Sequence, residues 1–506
     1  MAKRQWSADR ASAGADHPGR GGTRWPDRPV PFTRVLFPTA TFAIFFLIVL
    51  PLSWLTMPHV HRWRPLILVA SYVFYSWWDW RFIFLLAGCT VWNQVFAVRI
   101  HRATTQAQRK LLLTIALAGD IGVLGYFKYY DFFVDSSQSM AAIVGLDLPF
   151  SLKTIILPVG ISFYTFMAIS YVVDTYRGDF VPTTLEKFAV YLSFFPHLVA
   201  GPIVRPGELI PQFDTPRNPR RVDTSRAFYL IATGLFKKVV IANYLAANIV
   251  DEVFGAPGNH SSLEILIGIY AYAVQIYADF SGYTDIAIGL ALLLGFTFPR
   301  NFDSPYAAVS LQDFWRRWHM TLSRFLRDYV YIPLGGSRKS SIITYRNLML
   351  TMLIGGLWHG AGWTFIVWGG IHGVGLASER WWKDRPEYQA PVDTLRRRVV
   401  TRIITFNVVC LAWIFFRADS FATAWDMITG LFTGWGESSP LVTGSVLLAI
   451  AIGIGSQYLP ARVPFLIMAR FGRLPVFGQA LVLAFALMLT NTLGPEGVAP
   501  FIYFRF

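Results

Sequence analysis

Residues 347–378 read NLMLTMLIGGLWHGAGWTFIVWGGIHGVGLAS, 32 residues without an Asp, Glu, Lys or Arg. About 20 predominantly apolar residues cross a hydrocarbon core, so a stretch this long and this bare belongs in a membrane. His359 stands inside it, between Trp358 and Gly360, with His372 thirteen residues further on. An ionisable side chain at membrane depth is costly and marks a functional site by default. Imidazole is also the side chain that takes and returns a proton near neutral pH. Gly355, Gly356, Gly360 and Gly362 surround it, and glycine lets backbone approach backbone or ligand closely. The reading is a dry pocket holding one neutral base, able to accept a proton.

The rest of the chain agrees. Only 15% of the 506 residues are charged, where a soluble domain has about 25%. With 18 Trp and 42 Phe, this is an all-α polytopic membrane protein. The net charge of +15 lies in short clusters between apolar runs. That pattern fits membrane lipid headgroups and cytoplasmic loops, not nucleic acid. Cys89 and Cys410 each lie in an apolar segment, which excludes a disulfide framework. His59 and His61 form an i,i+2 pair that nothing completes, so no metal site is expected. Residues 1–34, rich in Arg, Gly, Pro, Asp and Ser, read as a disordered polar tail before a membrane domain spanning 35–506. The first apolar run is long enough to remain as an anchor.

Apolar runs follow at 35–58, 66–78, 82–98, 111–127, 154–173, 188–203 and 228–250. A pair at 265–278 and 286–298 comes next, then 347–357, 361–378, 403–416, 441–459 and 476–493. Several are too short to span alone, which leaves roughly 11 transmembrane helices plus re-entrant or interfacial pieces. Arg62 and Arg64 sit in one short connection, and Arg99, Arg102, Arg109 and Lys110 in another. Two spans separate these connections, so they share a side, and the positive-inside rule makes it cytoplasmic. The tail then lies outside, although its own arginines argue the other way. No internal repeat is visible, which weakens a transporter built on inverted halves.

A second histidine lies upstream. Leu311, Trp315, Trp318, Leu322, Phe325 and Tyr329 recur at gaps of 4, 3, 4, 3 and 4, one face of a helix. His319 flanks that stripe, while Arg316, Arg317, Arg324 and Arg327 populate the rest. Such a helix lies at headgroup level and ends at Ile332-Pro333-Leu334-Gly335-Gly336. Taken alone, each feature has an ordinary reading. A membrane histidine often only bonds a neighbouring helix, and the arginines suit lipid phosphates. His372 reads as structural. Asp279 and Asp285 read either as partners of an arginine or as ligand contacts. Lys237 and Lys238 read as snorkelling or as a helix end.

The combination is more specific. Phe194-Phe195-Pro196-His197-Leu198-Val199-Ala200-Gly201-Pro202-Ile203 resembles the membrane-bound O-acyltransferase family. So do Tyr277-Ala278-Asp279-Phe280-Ser281-Gly282-Tyr283-Thr284-Asp285, Asn301-Phe302-Asp303-Ser304-Pro305-Tyr306, the Trp315–His319 segment and Leu357-Trp358-His359-Gly360-Ala361. The ending Tyr503-Phe504-Arg505-Phe506 is similar to that of the alginate O-acetylation branch. The likeness runs from about Val35 to the end and leaves out the tail. The resemblance implies a ring of tilted helices around a central tunnel with a cytosolic opening for acyl-coenzyme A. It implies His359 as catalytic base and His319 as its partner.

By the same resemblance, acetyl-CoA is the donor substrate and no cofactor is bound. The acetyl group passes across the cell membrane to an extracytoplasmic polysaccharide, through a secreted or periplasmic acetyltransferase partner. Arg316 and Arg317, with Asp279, Trp315 and Trp358, are candidates for substrate contact. The guanidinium forks suit coenzyme A phosphates, and Arg317→Ala is expected to raise KM for acetyl-CoA. A D-alanyl transferase of teichoic acid synthesis, fed by a carrier protein, is the nearest alternative within that fold. A glycan or lipid transporter is the alternative from another class, and a scaffold the most distant.

Overall fold

The computed structural model describes residues 37–146, 148–149, 155–387, 392–460 and 462–493. The tail and the Tyr503–Phe506 ending lie outside them. Among the described residues there is no strand. The helices α1 (Ala40–Thr56), α2 (Val60–Ser76) and α3 (Arg81–Arg102) follow one another through short breaks. The next, α4 (Gln106–Leu124), passes through a π-helical turn, Gly125–Tyr129, into α5 (Tyr130–Ile143). Gly160 and Gly178, at φ 75° and 85°, bound α6 (Ile161–Arg177). Short pieces follow: α7 (Leu185–Ser193), α8 (Phe195–Leu198) and α9 (Pro206–Leu209). Two π-helical segments join α10 (Thr224–Leu235), α11 (Asn243–Leu245) and α12 (Asp251–Gly255).

Ser261 and Glu264 form a capping box at the start of α13 (Ser262–Leu293), satisfying two of the donors a helix start leaves free. Then come α14 (Leu311–Arg317), α15 (Met320–Leu326), α16 (Ser341–His359), α17 (Trp363–Lys383) and α18 (Leu395–Arg417). The last four are α19 (Phe421–Thr433), α20 (Gly444–Gly455), α21 (Arg462–Gly472) and α22 (Val476–Leu493).

Among the described residues five helical bodies are long and apolar enough to cross a membrane, six if the bent pair at 444–472 is one span. This measure does not reach the roughly 11 spans read from the sequence. The helices α1, α2 and α6 have 17 residues each, about 25 Å at 1.5 Å per residue against a core of about 30 Å. The 188–203 run divides into α7 and α8 at Phe194, two residues before Pro196. In the other direction, the 111–127 run does not stop at Phe127. It continues to Ile143 as one body of 38 residues.

The expected pair at 265–278 and 286–298 is a single helix, α13. It is also the most enclosed span, with 78% of its most apolar window buried against 17–44% for the other four. Its acids do not break it because each meets a lysine from the π-helical segment Phe236–Ala242. Lys237 Nζ lies 2.6 Å from Asp285, and Lys238 pairs with Asp279. A buried charge persists when it is paired. Lys237 and Lys238 are therefore neither free at an interface nor a helix end. The partners of Asp279 and Asp285 are lysines, where the sequence suggested an arginine.

Candidate active site

α16 and α17 form a hairpin turning at residues 360–362. Close approach of the two helices requires glycine. A Cβ on Gly356 would stand 2.3 Å from the Phe365 carbonyl oxygen, and one on Gly369 2.3 Å from that of Met352. At Gly360 a Cβ would meet the Phe365 ring at 2.1 Å, whereas at Gly362 the nearest contact is an ordinary 3.5 Å. The hairpin puts His359 on the last residue of α16, where Gly360 turns to an extended φ of −154°. His359 is thus at a helix end in the middle of the uncharged run. It is 2% exposed, and the rings of Trp358, Trp368 and Phe416 stand 4.9, 4.9 and 5.3 Å from it, all tilted by more than 60°.

His319 reaches the same place by a break in the chain. The expected continuous helix over 311–329 is interrupted. Trp318 is extended, His319 is left-handed at φ 41°, and α15 begins at Met320. The cause is a tertiary contact. Asp303 N–H donates to Arg317 O at 2.9 Å and Met320 N–H to Asn301 O at 2.9 Å, so the 301–303 segment takes bonds a helix would have used. A non-glycine residue at positive φ is strained, and such strain gathers at functional sites.

Asn301 also sets the chemistry of His319. Its Oδ1 accepts from Thr321 N–H at 3.2 Å, which identifies that atom as the oxygen, and from the Thr321 hydroxyl at 2.9 Å. His319 Nδ1, 3.1 Å from the same oxygen, must then carry its proton and donate. Neutral His319 therefore holds its lone pair at Nε2, which has no hydrogen-bond partner among the described residues. The His319 ring is fully buried, with Phe280 edge-on at 4.6 Å.

Trp358 neighbours both imidazoles, its ring 6.0 Å from that of His319 and 4.9 Å from that of His359. Phe163 and Phe166 back it at 5.6 and 5.3 Å. His372 accepts from the Trp315 indole N–H at 3.3 Å and meets Trp368 edge-on at 5.0 Å. The structure thus brings together His359, His319, Trp358 and, through Trp368, His372 and Trp315. Asp279 is held by Lys238. Among the described residues no group of three His, Cys, Asp or Glu side chains is placed to hold a metal ion.

A cavity of about 410 Å³ opens between α14, α15, α16 and α17. Trp315 and Met352 line its inner part, and the exposed Arg316 and Arg327 its rim with Arg324. Arg317 does not line it. Its guanidinium is held by Asp313 at 2.8 Å and by the Asp303 carbonyl at 3.3 Å, so the expected KM effect of Arg317→Ala has no structural basis. Arg324 and Arg327 are shared with Glu208 and Asp328 at 2.8 and 2.6 Å. Burial pushes the Asp328 carboxyl up, but hydrogen bonds from Arg327 and Arg205 outweigh it and hold the group below the usual carboxylate range.

This polar face connects the basic segments. Arg64 bonds Asp214 at 2.7 Å, Gln212 bonds Glu208 O at 2.8 Å, Arg205 bonds Asp328 at 2.5 Å and Arg177 bonds Asp328 O at 2.9 Å. Arg109 reaches Tyr176 O at 2.6 Å. The two basic segments, which lie on α2 and at the α3–α4 turn, are therefore joined through one polar network. Sequence reasoning gave no role to Asn301, although it opens one of the quoted motifs. Nor did it single out Lys128 and Tyr129, whose signal was a cation ending the 111–127 apolar run.

Fold and site together define a polytopic helical membrane protein built around a buried pair of histidines. The model of the MBOAT, membrane-bound O-acyltransferase family, matches residues 176–421. A probable alginate O-acetylase of Pseudomonas aeruginosa is 44% identical over 433 residues, covering 83% of this chain and 78% of that protein. A peptidoglycan O-acetyltransferase of Helicobacter pylori is 37% identical over 429 residues, 78% of this chain and 80% of that one. A teichoic acid D-alanyltransferase of Streptococcus thermophilus is 28% identical over 281 residues, 51% of this chain and 67% of that one. The chain belongs to the membrane-bound O-acyltransferase family, and it is an O-acyltransferase of the membrane.

Proposed function

We propose that the enzyme moves an acetyl group from cytosolic acetyl-CoA toward hydroxyls of an extracytoplasmic polysaccharide, by way of a secreted or periplasmic acetyltransferase. The observation that carries this reading is the pair of buried imidazoles that share Trp358 as a neighbour. The acetyl group and the polysaccharide are supported by the relatives named alginate O-acetylase and peptidoglycan O-acetyltransferase, which this chain matches over more of its length than the D-alanyltransferase.

In this reading His359 is the base. It takes the proton of the attacking hydroxyl as the oxygen bonds to the thioester carbonyl. The tetrahedral intermediate collapses, the carbon–sulfur bond breaks and the coenzyme A thiolate leaves with the proton. His319, fixed by Asn301, presents an acceptor and becomes a donor only after it takes up a proton. The aromatic enclosure keeps out water, which would hydrolyse the thioester. A cavity of about 410 Å³ lies in the range of small-molecule sites and suits the coenzyme A part of the donor, with Arg316 and Arg327 at its phosphate end; the thioester then has to pass the Trp315 and Trp368 rings to reach His359.

The test is acetyl transfer in reconstituted vesicles with labelled acetyl-CoA supplied on one side. Wild type consumes it, and His359→Ala, still folded, loses about 100-fold or more in kcat. Activity of His359→Ala equal to wild type would overturn the assignment. So would the lack of any wild-type turnover of acetyl-CoA with every glycan or partner tried; a carrier-protein donor or transport would then lead.

A further inference from the structure

The α4–π–α5 body carries a cation that the chemistry above does not use. A helix end leaves its last four carbonyls without intrahelical partners, and at membrane depth each must be satisfied by protein. At the end of α16 those carbonyls belong to residues 356–359. Gly360 N–H donates to Gly356 O at 3.3 Å. The Tyr129 hydroxyl donates to Leu357 O at 2.8 Å. Lys128 Nζ donates to Trp358 O at 2.5 Å and to His359 O at 3.1 Å. Every carbonyl of the turn that carries His359 is thus bonded, three of them by two successive residues of one π-helical turn.

That turn is placed for the task. π-Helical turns inside longer helices recur at functional sites, and this one, Gly125–Tyr129, interrupts a 38-residue body. A cation also complements the negative end of the α16 dipole. The ammonium lies 5.8 Å from the Trp358 ring centroid, the ring that neighbours both imidazoles. A lysine at membrane depth is expensive unless it is used, and this one donates to the carbonyls of Trp358 and His359.

We propose that Lys128 is a positioning residue for acyl transfer: its ammonium ties the last turn of α16 and the Trp358 ring to the π turn, and so fixes the His359 imidazole relative to His319. The proposal rests on the reading of His359 as the base. Lys128 touches neither donor nor acceptor in this scheme, so its loss acts on the catalysed step and not on donor affinity.

The experiment uses the full chain in vesicles with acetyl-CoA as donor, comparing wild type, Lys128→Met, Lys128→Arg, Tyr129→Phe and His359→Ala. Lys128→Met is expected to stay folded and to lose about 100-fold in kcat, the scale of a misplaced catalytic group, with KM for acetyl-CoA unchanged. Lys128→Arg, which keeps the charge and the donors, restores most of it. A Lys128→Met kcat equal to wild type, or a loss confined to KM, overturns the proposal. If Lys128→Met does not fold, Tyr129→Phe decides: a fall in kcat at constant KM supports the proposal, and an unchanged kcat overturns it. If His359→Ala is inactive while Lys128→Met runs at the wild-type rate, the Lys128 proposal alone falls. If His359→Ala stays active, both fall.

Discussion

At the scale of single residues, Asn301 decides more than its size suggests. One amide oxygen accepts from Thr321 twice and from His319 Nδ1, which fixes both the tautomer and the left-handed turn at His319. Asn301→Ala should cost about 1–3 kcal/mol through the buried donors left unsatisfied, and lower kcat by about 10- to 100-fold through a loosened imidazole. Asn301→Asp, which keeps the accepting oxygen, should fall less. Thermal unfolding in detergent and acetyl-CoA turnover check both; an Asn301→Ala enzyme as fast as wild type would mean that His319 needs no fixed tautomer. The two histidines themselves were legible in the sequence, because an imidazole in an uncharged run and one beside a tryptophan stripe stand out by type. Asn301 was not, since an asparagine in a loop has no signature until its partner is known.

At the scale of elements, the α16–α17 hairpin was the best read, because 32 uncharged residues admit few alternatives. Its close packing makes a prediction. Gly356→Ala would force a methyl to 2.3 Å from the Phe365 carbonyl, and overpacking of this kind costs about 1–3 kcal/mol. Gly362→Ala, at 3.5 Å from its nearest neighbour, should be close to neutral. Equal unfolding midpoints for the two variants would show that the hairpin relaxes freely at Gly356. The helix over 311–329 was misread because its 4–3–4–3–4 stripe survives the break. Trp318 and Leu322 remain buried on either side of His319, so periodicity alone cannot see a backbone opened by residues 301–303. The expected split of α13 does not occur, for the opposite reason: two acids look like a break until the lysines that neutralise them come into contact.

At the scale of the whole molecule, the cavity beneath the arginines and the histidine pair are separate places joined by packed rings. Trp315 lines the cavity and meets Trp368 at 5.7 Å, and Trp368 meets His359 at 4.9 Å. This separation predicts distinct kinetic signatures. Arg316→Ala should raise KM for acetyl-CoA about tenfold, the loss of one charge-assisted contact, with kcat little changed. Arg317→Ala should leave KM alone and lower stability, since its guanidinium is already committed to Asp313 and Asp303. Initial rates against acetyl-CoA concentration separate the two, and an unchanged KM in Arg316→Ala would remove the rim from the donor site.

The sequence by itself determined the solvent. Runs of apolar residues with few charges must be membrane helices, because only a backbone bonded within itself survives in lipid. It also determined which side chains could do chemistry, because an isolated imidazole is costly wherever it is not used. Tertiary structure decided how those side chains are held: the break that turns His319 inward, the amide that fixes its proton, the lysines that keep α13 whole, and the cation that closes the end of α16. Each of these joins residues far apart in the chain, Asn301 to His319 and Lys128 to His359 among them. A periodic pattern records only what a residue shares with neighbours three or four places away, so contacts of that range leave no trace in it.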